Sequence, residues 1–154
     1  MSRSRENITV IEVGHLSADF WRCARLREEV LRIPLGLQFD RAQLAAEGLP
    51  QRHLAAWINN QLAGCAVLTP VSHHEARVRS VAVAVEYQRR GAGTALMAAA
   101  TELARKLEFR RLVLDARVTA QPFYEKLGYV VEGTAFTKIG LPHVFMCRTI
   151  GEGR

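Results

Sequence analysis

The segment from residue 76 to residue 117 constrains this chain more than any other. A run rich in small and β-branched residues (76–85) leads through a glycine-containing turn into a long amphipathic stretch (92–107), and a second apolar run (111–117) follows. Within 92–107, Ala95, Leu96, Ala99, Ala100, Leu103, Ala104 and Leu107 recur at helical spacing, with Glu102, Arg105 and Lys106 opposite them. The many alanines suit close packing against a sheet. Strand, helix and strand in this order predict a βαβ unit with a right-handed crossover and two parallel strands.

The flanking sequence extends that unit. Residues 8–13 read as a first strand. Ser17 is a helix N-cap with Asp19 in the first turn, and Phe20, Cys23/Ala24, Leu26/Arg27 and Val30/Leu31 follow at helical spacing until Pro34 and Gly36. Residues 37–50 read as a loop or short helix. Residues 54–58 and 61–69 form a hairpin about Asn59-Asn60. A short helix fits 119–127, with Thr119 as N-cap, Pro122 in the first turn and Gly128 as its stop. Strands at 129–137 and 143–150 complete a mixed α/β order with about seven strands.

The chain has 154 residues, the length of one domain, and such a globule buries enough surface to fold without metals or disulfides. Apolar residues make up 49% and charged residues 23%, which argues against disorder. No apolar run approaches membrane-spanning length, and Met1–Asn7 lacks the apolar core of a signal peptide, so the expected location is cytoplasmic, without membrane association. Cys23, Cys65 and Cys147 are scattered, with no C-x-x-C pair, and read as small buried residues rather than zinc ligands. His73-His74 reads as a solvated turn, and no metal is expected. The net charge is +6, yet the arginines are spread thinly, with Arg89-Arg90 and Arg110-Arg111 as the only adjacent arginine pairs. That pattern disfavours nucleic acid as a partner.

Two segments carry chemistry. The turn Gln88-Arg89-Arg90-Gly91-Ala92-Gly93-Thr94 opens the long helix. Its small residues admit a ligand close to the backbone, the helix directs free N–H groups at the turn, and two arginines add donors. These parts suit a diphosphate, although a strand-to-helix turn with solvent-facing arginines fits the residues equally well. Neither G-x-x-x-x-G-K-[ST] nor G-x-G-x-x-G is present, which excludes the two commonest phosphate loops. The second segment is Gln121-Pro122-Phe123-Tyr124-Glu125-Lys126-Leu127-Gly128-Tyr129. Ala120, Phe123 and Leu127 share a helical face, with Tyr124 at its edge. By itself that pattern reads as a partly buried tyrosine with a wet hydroxyl.

Together these segments resemble the GNAT superfamily of acetyl-CoA-dependent N-acetyltransferases. Val81-Ala82-Val83 precedes Gln88-x-x-Gly91-x-Gly93, similar to the family's Q/R-x-x-G-x-G/A. The later Phe123-Tyr124-x-x-Leu127-Gly128-Tyr129 is similar to its F-Y-x-x-L-G-[FY] element. Gly140-Leu141-Pro142-His143-Val144-Phe145-Met146 resembles a G-[IL]-P-H-x-x-M element of some small bacterial members, and Leu31–Gly36 is also similar to a segment of theirs. Departures are Arg89, where many members carry Gly, Val85, where many carry Pro, and Arg117, where many carry Asn. Glu108 stands near the place where a glycine often stops the long helix.

The resemblance implies a GNAT-like fold: one domain over 1–154, a central mixed sheet with helices on both faces, and a splayed parallel strand pair. It implies acetyl-CoA as cosubstrate. The pantetheine arm would lie along Val81, Ala82, Val83 and Val85, and the diphosphate on Gln88, Arg89, Arg90, Gly91, Ala92, Gly93 and Thr94, with Gln121 and Phe123 also beside the cofactor. Tyr124 would donate a hydrogen bond or proton to the leaving thiolate. The expected reaction is N-acetylation of a primary amine on a small molecule or peptide. His143 is a second expected catalytic residue, as base; Glu28, Glu29, Asp40, Glu86 or a water chain are alternatives, and a structural hydrogen bond holding the last hairpin would also explain that histidine. In the family the acceptor is shaped by the first helix, the following loop and the last hairpin, here about 20–50 and 133–145. Five acids and five arginines within 15–50 favour no acceptor charge. Homodimers are common in the family. A catalytically silent acyl-CoA sensor is the competing expectation, and Tyr124 disfavours it.

Overall fold

The computed structural model describes residues 7–151. The segment 1–6, which bears on the signal-peptide expectation, lies outside the described residues. The elements are β1 (Ile8–Val13), α1 (Ala18–Leu31), α2 (Arg41–Ala45), β2 (Arg52–Ile58), β3 (Gln61–Pro70), β4 (Glu75–Val83), α3 (Ala92–Lys106), β5 (Arg111–Arg117), α4 (Gln121–Lys126), β6 (Val130–Lys138) and β7 (Leu141–Thr149). The sheet is seven-stranded and mixed, in the order β1-β2-β3-β4-β5-β7-β6. Its parallel pair is β4 with β5, as the βαβ reading requires, in the register Glu75 to Arg111, Ala76 to Leu112 and Arg77 to Val113. β4 continues to Val83 and β5 to Arg117.

The chain divides into two compact units, residues 7–68 with 80–100, and residues 69–79 with 101–151. In the first, β1, β2 and β3 form an antiparallel meander, turned at Asn59-Asn60 with φ of 49° and 63°. Asparagine tolerates that left-handed geometry, so the hairpin forms where the sequence places it. α1 begins at Ser17, whose hydroxyl accepts from the Phe20 N–H at 3.1 Å. Phe20, Cys23 and Leu26 pack with Val13, Ala55, Cys65, Ala82 and Ala84. Gly64 stands where a Cβ would meet the Ala82 carbonyl at 2.8 Å and Leu96 Cδ1 at 3.0 Å, so β3 needs a glycine there.

In the second unit, β5, β7 and β6 form antiparallel pairs. Arg77 and Lys138 both reach Asp115, at 2.9 and 3.2 Å. The three cysteines are free and buried.

Several boundaries differ from the expectations. β4 stops at Val83, and Val85 lies in a 3₁₀ turn (Val85–Tyr87), 77% exposed, because the chain bends after Ala84. α1 ends at Leu31, before Pro34, which instead sits in a 3₁₀ turn (Ile33–Leu35) closed by Gly36. Thr119 is not an N-cap: it lies inside a 3₁₀ turn (Val118–Ala120), and α4 starts after Ala120 with no side-chain cap. Leu107 lies past the end of α3 and is exposed. α3 closes with two backbone bonds, Glu108 N–H to Arg105 O and Phe109 N–H to Ala104 O, both 2.9 Å. That double closure puts Glu108 in the left-handed region, φ 67°. Replacing Glu108 by glycine removes that strain, and denaturant titration should show Glu108→Gly unfolding at equal or higher denaturant, with a gain of up to about 1 kcal/mol. Destabilisation would mean that the glutamate side chain contributes more than the strain costs.

Candidate active site

In the first unit, β4 delivers Val81, Ala82 and Val83 to the 3₁₀ turn and the loop that opens α3. Gln88 is not merely a loop residue. Its side-chain NH₂ donates to the Val83 carbonyl at 3.1 Å, fastening the loop to the end of the strand. Arg89 takes φ 63° and Gly91 φ 94°. The glycine that many relatives of this pattern carry in place of Arg89 thus corresponds to a left-handed backbone here. Arg90 donates to the Glu86 carbonyl at 3.2 Å and lies over the Tyr87 ring.

The N-terminus of α3 has the electrostatics of an anion site. The Gly91 carbonyl accepts from the Ala95 N–H at 3.0 Å, which places Gly91 at the cap position. Glycine offers no side-chain oxygen to the next N–H groups, and the first turn of α3 holds no acid. The N–H groups of Ala92, Gly93 and Thr94 and the positive end of a 15-residue helix therefore lack a built-in counter-charge, with Arg89 and Arg90 beside them. A diphosphate fits that set of donors.

In the second unit, α4 turns Tyr124 inward. Tyr124 is the buried residue of the helix at 9% exposure, whereas the helical pattern placed it at the edge of a Phe123 face. Its ring meets Phe123 and Tyr129 edge-on, with centroids 5.0 and 5.9 Å away. Burial pushes the Tyr124 phenol up to about 12, so it holds its proton across the neutral range. Tyr129 is buried, and among the described residues its hydroxyl has no hydrogen-bond partner. Burial raises its pKa as well. Gln121 and Phe123 are half-buried at the start of the same helix.

His143 sits in β7, which begins at Leu141, and is 4% exposed. It faces Arg117 across one register and Phe136 across the other, and its ring stacks on Phe136. Nδ1 lies 2.8 Å from the Leu141 carbonyl, which can only accept, so Nδ1 is the donor there and Nε2 is the ring nitrogen outside that bond.

Two features were not identified by sequence reasoning. Arg27 of α1 is 2% exposed and paired with Glu47 at 2.7 Å, and it also donates to the Ser80 hydroxyl at 3.2 Å. A cavity of about 450 Å³ opens between α1, α2 and the chain joining them, lined by Trp21, Phe39, Glu28 and Arg41 among others. Among the described residues, no group of three or more His, Cys, Asp or Glu could hold a metal, and no helix is long and apolar enough to cross a membrane.

The mixed seven-stranded sheet with its parallel β4–β5 pair, and a glycine-opened helix after β4, define the class of fold. The model of the Acetyltransferase (GNAT) family matches residues 13–129, and the chain belongs to that family: it is an acyltransferase enzyme. A Bacillus subtilis (strain 168) protein, the uncharacterized YyaT, is 26% identical over 66% of this chain and 68% of its own length. The ribosomal-protein-S18-alanine N-acetyltransferase of Escherichia coli superposes with a TM-score of 0.79 at 21% identity, over 96% of this chain and 97% of that one. A GNAT family acetyltransferase from Elizabethkingia anophelis, solved with acetyl-CoA bound, superposes with a TM-score of 0.71 at 18% identity, covering 93% and 98%.

Proposed function

We propose that this protein is a single-domain N-acetyltransferase that uses acetyl-CoA to acetylate a primary amine. The observation that carries this reading is the helix start at Gly91. N–H groups with no side-chain cap, no acid in the first turn and two adjacent arginines fit the diphosphate of coenzyme A. An acetyl-CoA-bound relative of the same fold supports it.

When bound, acetyl-CoA supplies an activated thioester carbonyl and a thiolate leaving group. The chain's own contributions follow from its geometry. Val81–Val83 offer backbone groups to an extended arm. Gln88 holds the end of that strand to the phosphate loop. Tyr124, protonated by virtue of its burial, donates from Oη to the sulfur as the amine nitrogen bonds to carbon and the carbon–sulfur bond breaks. A lysine-like amine has a solution pKa of about 10.4 and must shed a proton before attack. His143, whose Nε2 stays outside the Nδ1 bond to the Leu141 carbonyl, is the base we assign.

Calorimetric titration of acetyl-CoA into the folded protein, beside the Arg90→Glu, Gly91→Glu double variant, tests the loop. Saturable binding to the wild type, lost in the variant, is expected. No binding to the folded wild type would return the loop to a plain turn. Thiol release on adding amines then separates an enzyme from a silent acyl-CoA sensor.

A further inference from the structure

The cavity beside α1 has a chemistry of its own. Trp21 and Phe39 give it aromatic walls, and Ala18, Ala24 and Leu44 add apolar surface. Glu28 is the one acid among the lining residues. One of its oxygens accepts from the Phe39 N–H at 2.9 Å, which fixes the carboxylate in place and leaves the second oxygen for a ligand donor. Three arginines line the same space. Arg22 and Arg25 already meet Asp19 and Glu29 at 2.8 and 3.5 Å. Arg41 differs: its guanidinium lies 3.9 Å above the Trp21 ring, and among the described residues it meets no carboxylate. Stacking fixes the plane of the guanidinium and leaves its N–H edge for a bidentate anion.

The cavity also connects to the expected reaction strand within the first unit. Phe39 carries Arg27 over its ring, 5.0 Å from the centroid, and Arg27 donates to Ser80, the residue directly before Val81–Val83. A ligand held against Phe39 is thus separated by one side chain from the strand assigned to the cofactor arm.

We infer that the acceptor this cavity selects is a free α-amino acid with an apolar side chain. The ammonium group would meet Glu28, the carboxylate would meet Arg41, and the side chain would lie between Trp21 and Phe39. The inference rests on the transferase reading above for its catalytic meaning, but binding can be read without catalysis.

Trp21 is the reporter, in a Trp57→Phe background that removes the chain's other tryptophan. Among the described residues the Trp57 indole N–H has no hydrogen-bond partner, so that change breaks no such bond there. L-phenylalanine, phenethylamine and L-phenylalaninamide are titrated separately, with L-leucine and isopentylamine as an aliphatic pair. Saturable quenching by the amino acids is expected, at least tenfold tighter than by the matched amines or the amide, which stands for a peptide N-terminus. Arg41→Gln should erase that difference, whereas Glu28→Gln should weaken all five. Equal affinity for amino acids and decarboxylated amines, or no saturable response to phenylalanine and leucine, overturns the inference. The same compounds are then mixed with acetyl-CoA and thiol release is followed. Amino-acid binding without release would defeat the transferase reading and leave the pocket assignment standing. Release with no preference for the carboxylate would do the reverse.

Discussion

Tyr124→Phe should lower turnover by roughly 10²- to 10³-fold, the range seen when a single transition-state donor is lost, while acetyl-CoA affinity stays within about twofold. The variant keeps the ring, and with it the edge-on contacts to Phe123 and Tyr129 that hold α4 in place. What it removes is the one proton that the proposed mechanism gives to the sulfur. A thiol has a reference pKa of roughly 8.5, so complete transfer from a phenol held near 12 is uphill, and a strong hydrogen bond to the developing thiolate is the better description. The pH profile follows from the same burial. An ordinary tyrosine begins to lose its proton near pH 10, but here deprotonation is deferred towards 12. The wild-type rate should show no alkaline limb from this group below about pH 10. Stopped-flow thiol release and calorimetry check both halves. Unchanged turnover in the variant would remove Tyr124 from the mechanism.

The sequence carried the parts of the fold that are set by local periodicity. The stripe of 92–107 predicts α3, and the apolar runs on either side predict the parallel pair, because the alternation of period 3.6 and extended runs is visible within each segment. Features that depend on distant partners were less legible. The end of β4 is set by a turn after Ala84, where the Ala84 N–H is held by the Ala63 carbonyl of β3 and the Ala84 carbonyl accepts from the Tyr87 N–H, and nothing near Val85 announces it. Tyr124 is buried in α4 with its ring edge-on to Tyr129, a residue beyond the end of the helix that the helical spacing alone does not bring to that face. Arg89 shows the opposite case. Its place in a position often held by glycine was visible, and the left-handed backbone there is the physical reason for that preference. For the site, the motif residues of the loop and α4 were legible as a set. The aromatic cavity was not, since Trp21, Phe39 and Arg41 have no spacing that marks them as neighbours.

The largest stability effect should come from Glu47, which no motif singles out. A signal for its partner did exist. Arg27 falls seven residues after Phe20, on the same helical face as Cys23 and Ala24, so it was bound to enter the core. A guanidinium there is tolerable only if its charge is matched, and Glu47 matches it from 20 residues away, with its side chain 14% exposed. The Glu47 carbonyl is itself held by His53 Nε2 at 2.6 Å, and the Ala45 carbonyl by His15 Nε2 at 2.6 Å. The carboxylate therefore cannot easily swing out to water when the pair is disturbed. Glu47→Gln leaves a buried cation opposed by a neutral amide, and removal of one partner of a buried ion pair costs about 3–5 kcal/mol. For a chain of this length, thermal unfolding should fall by roughly 10 °C. The pair itself is a different matter from its half. Two charges brought out of water recover only part of their desolvation, so Arg27→Met with Glu47→Leu should unfold close to the wild type despite having lost every polar contact. Denaturant titrations of the single and double variants separate the two ideas. A Glu47→Gln cost below about 1 kcal/mol would show that water reaches the guanidinium. A double variant as unstable as the single one would show that the bond to Ser80, not charge balance, is what fixes α1 to the strand leading into Val81–Val83.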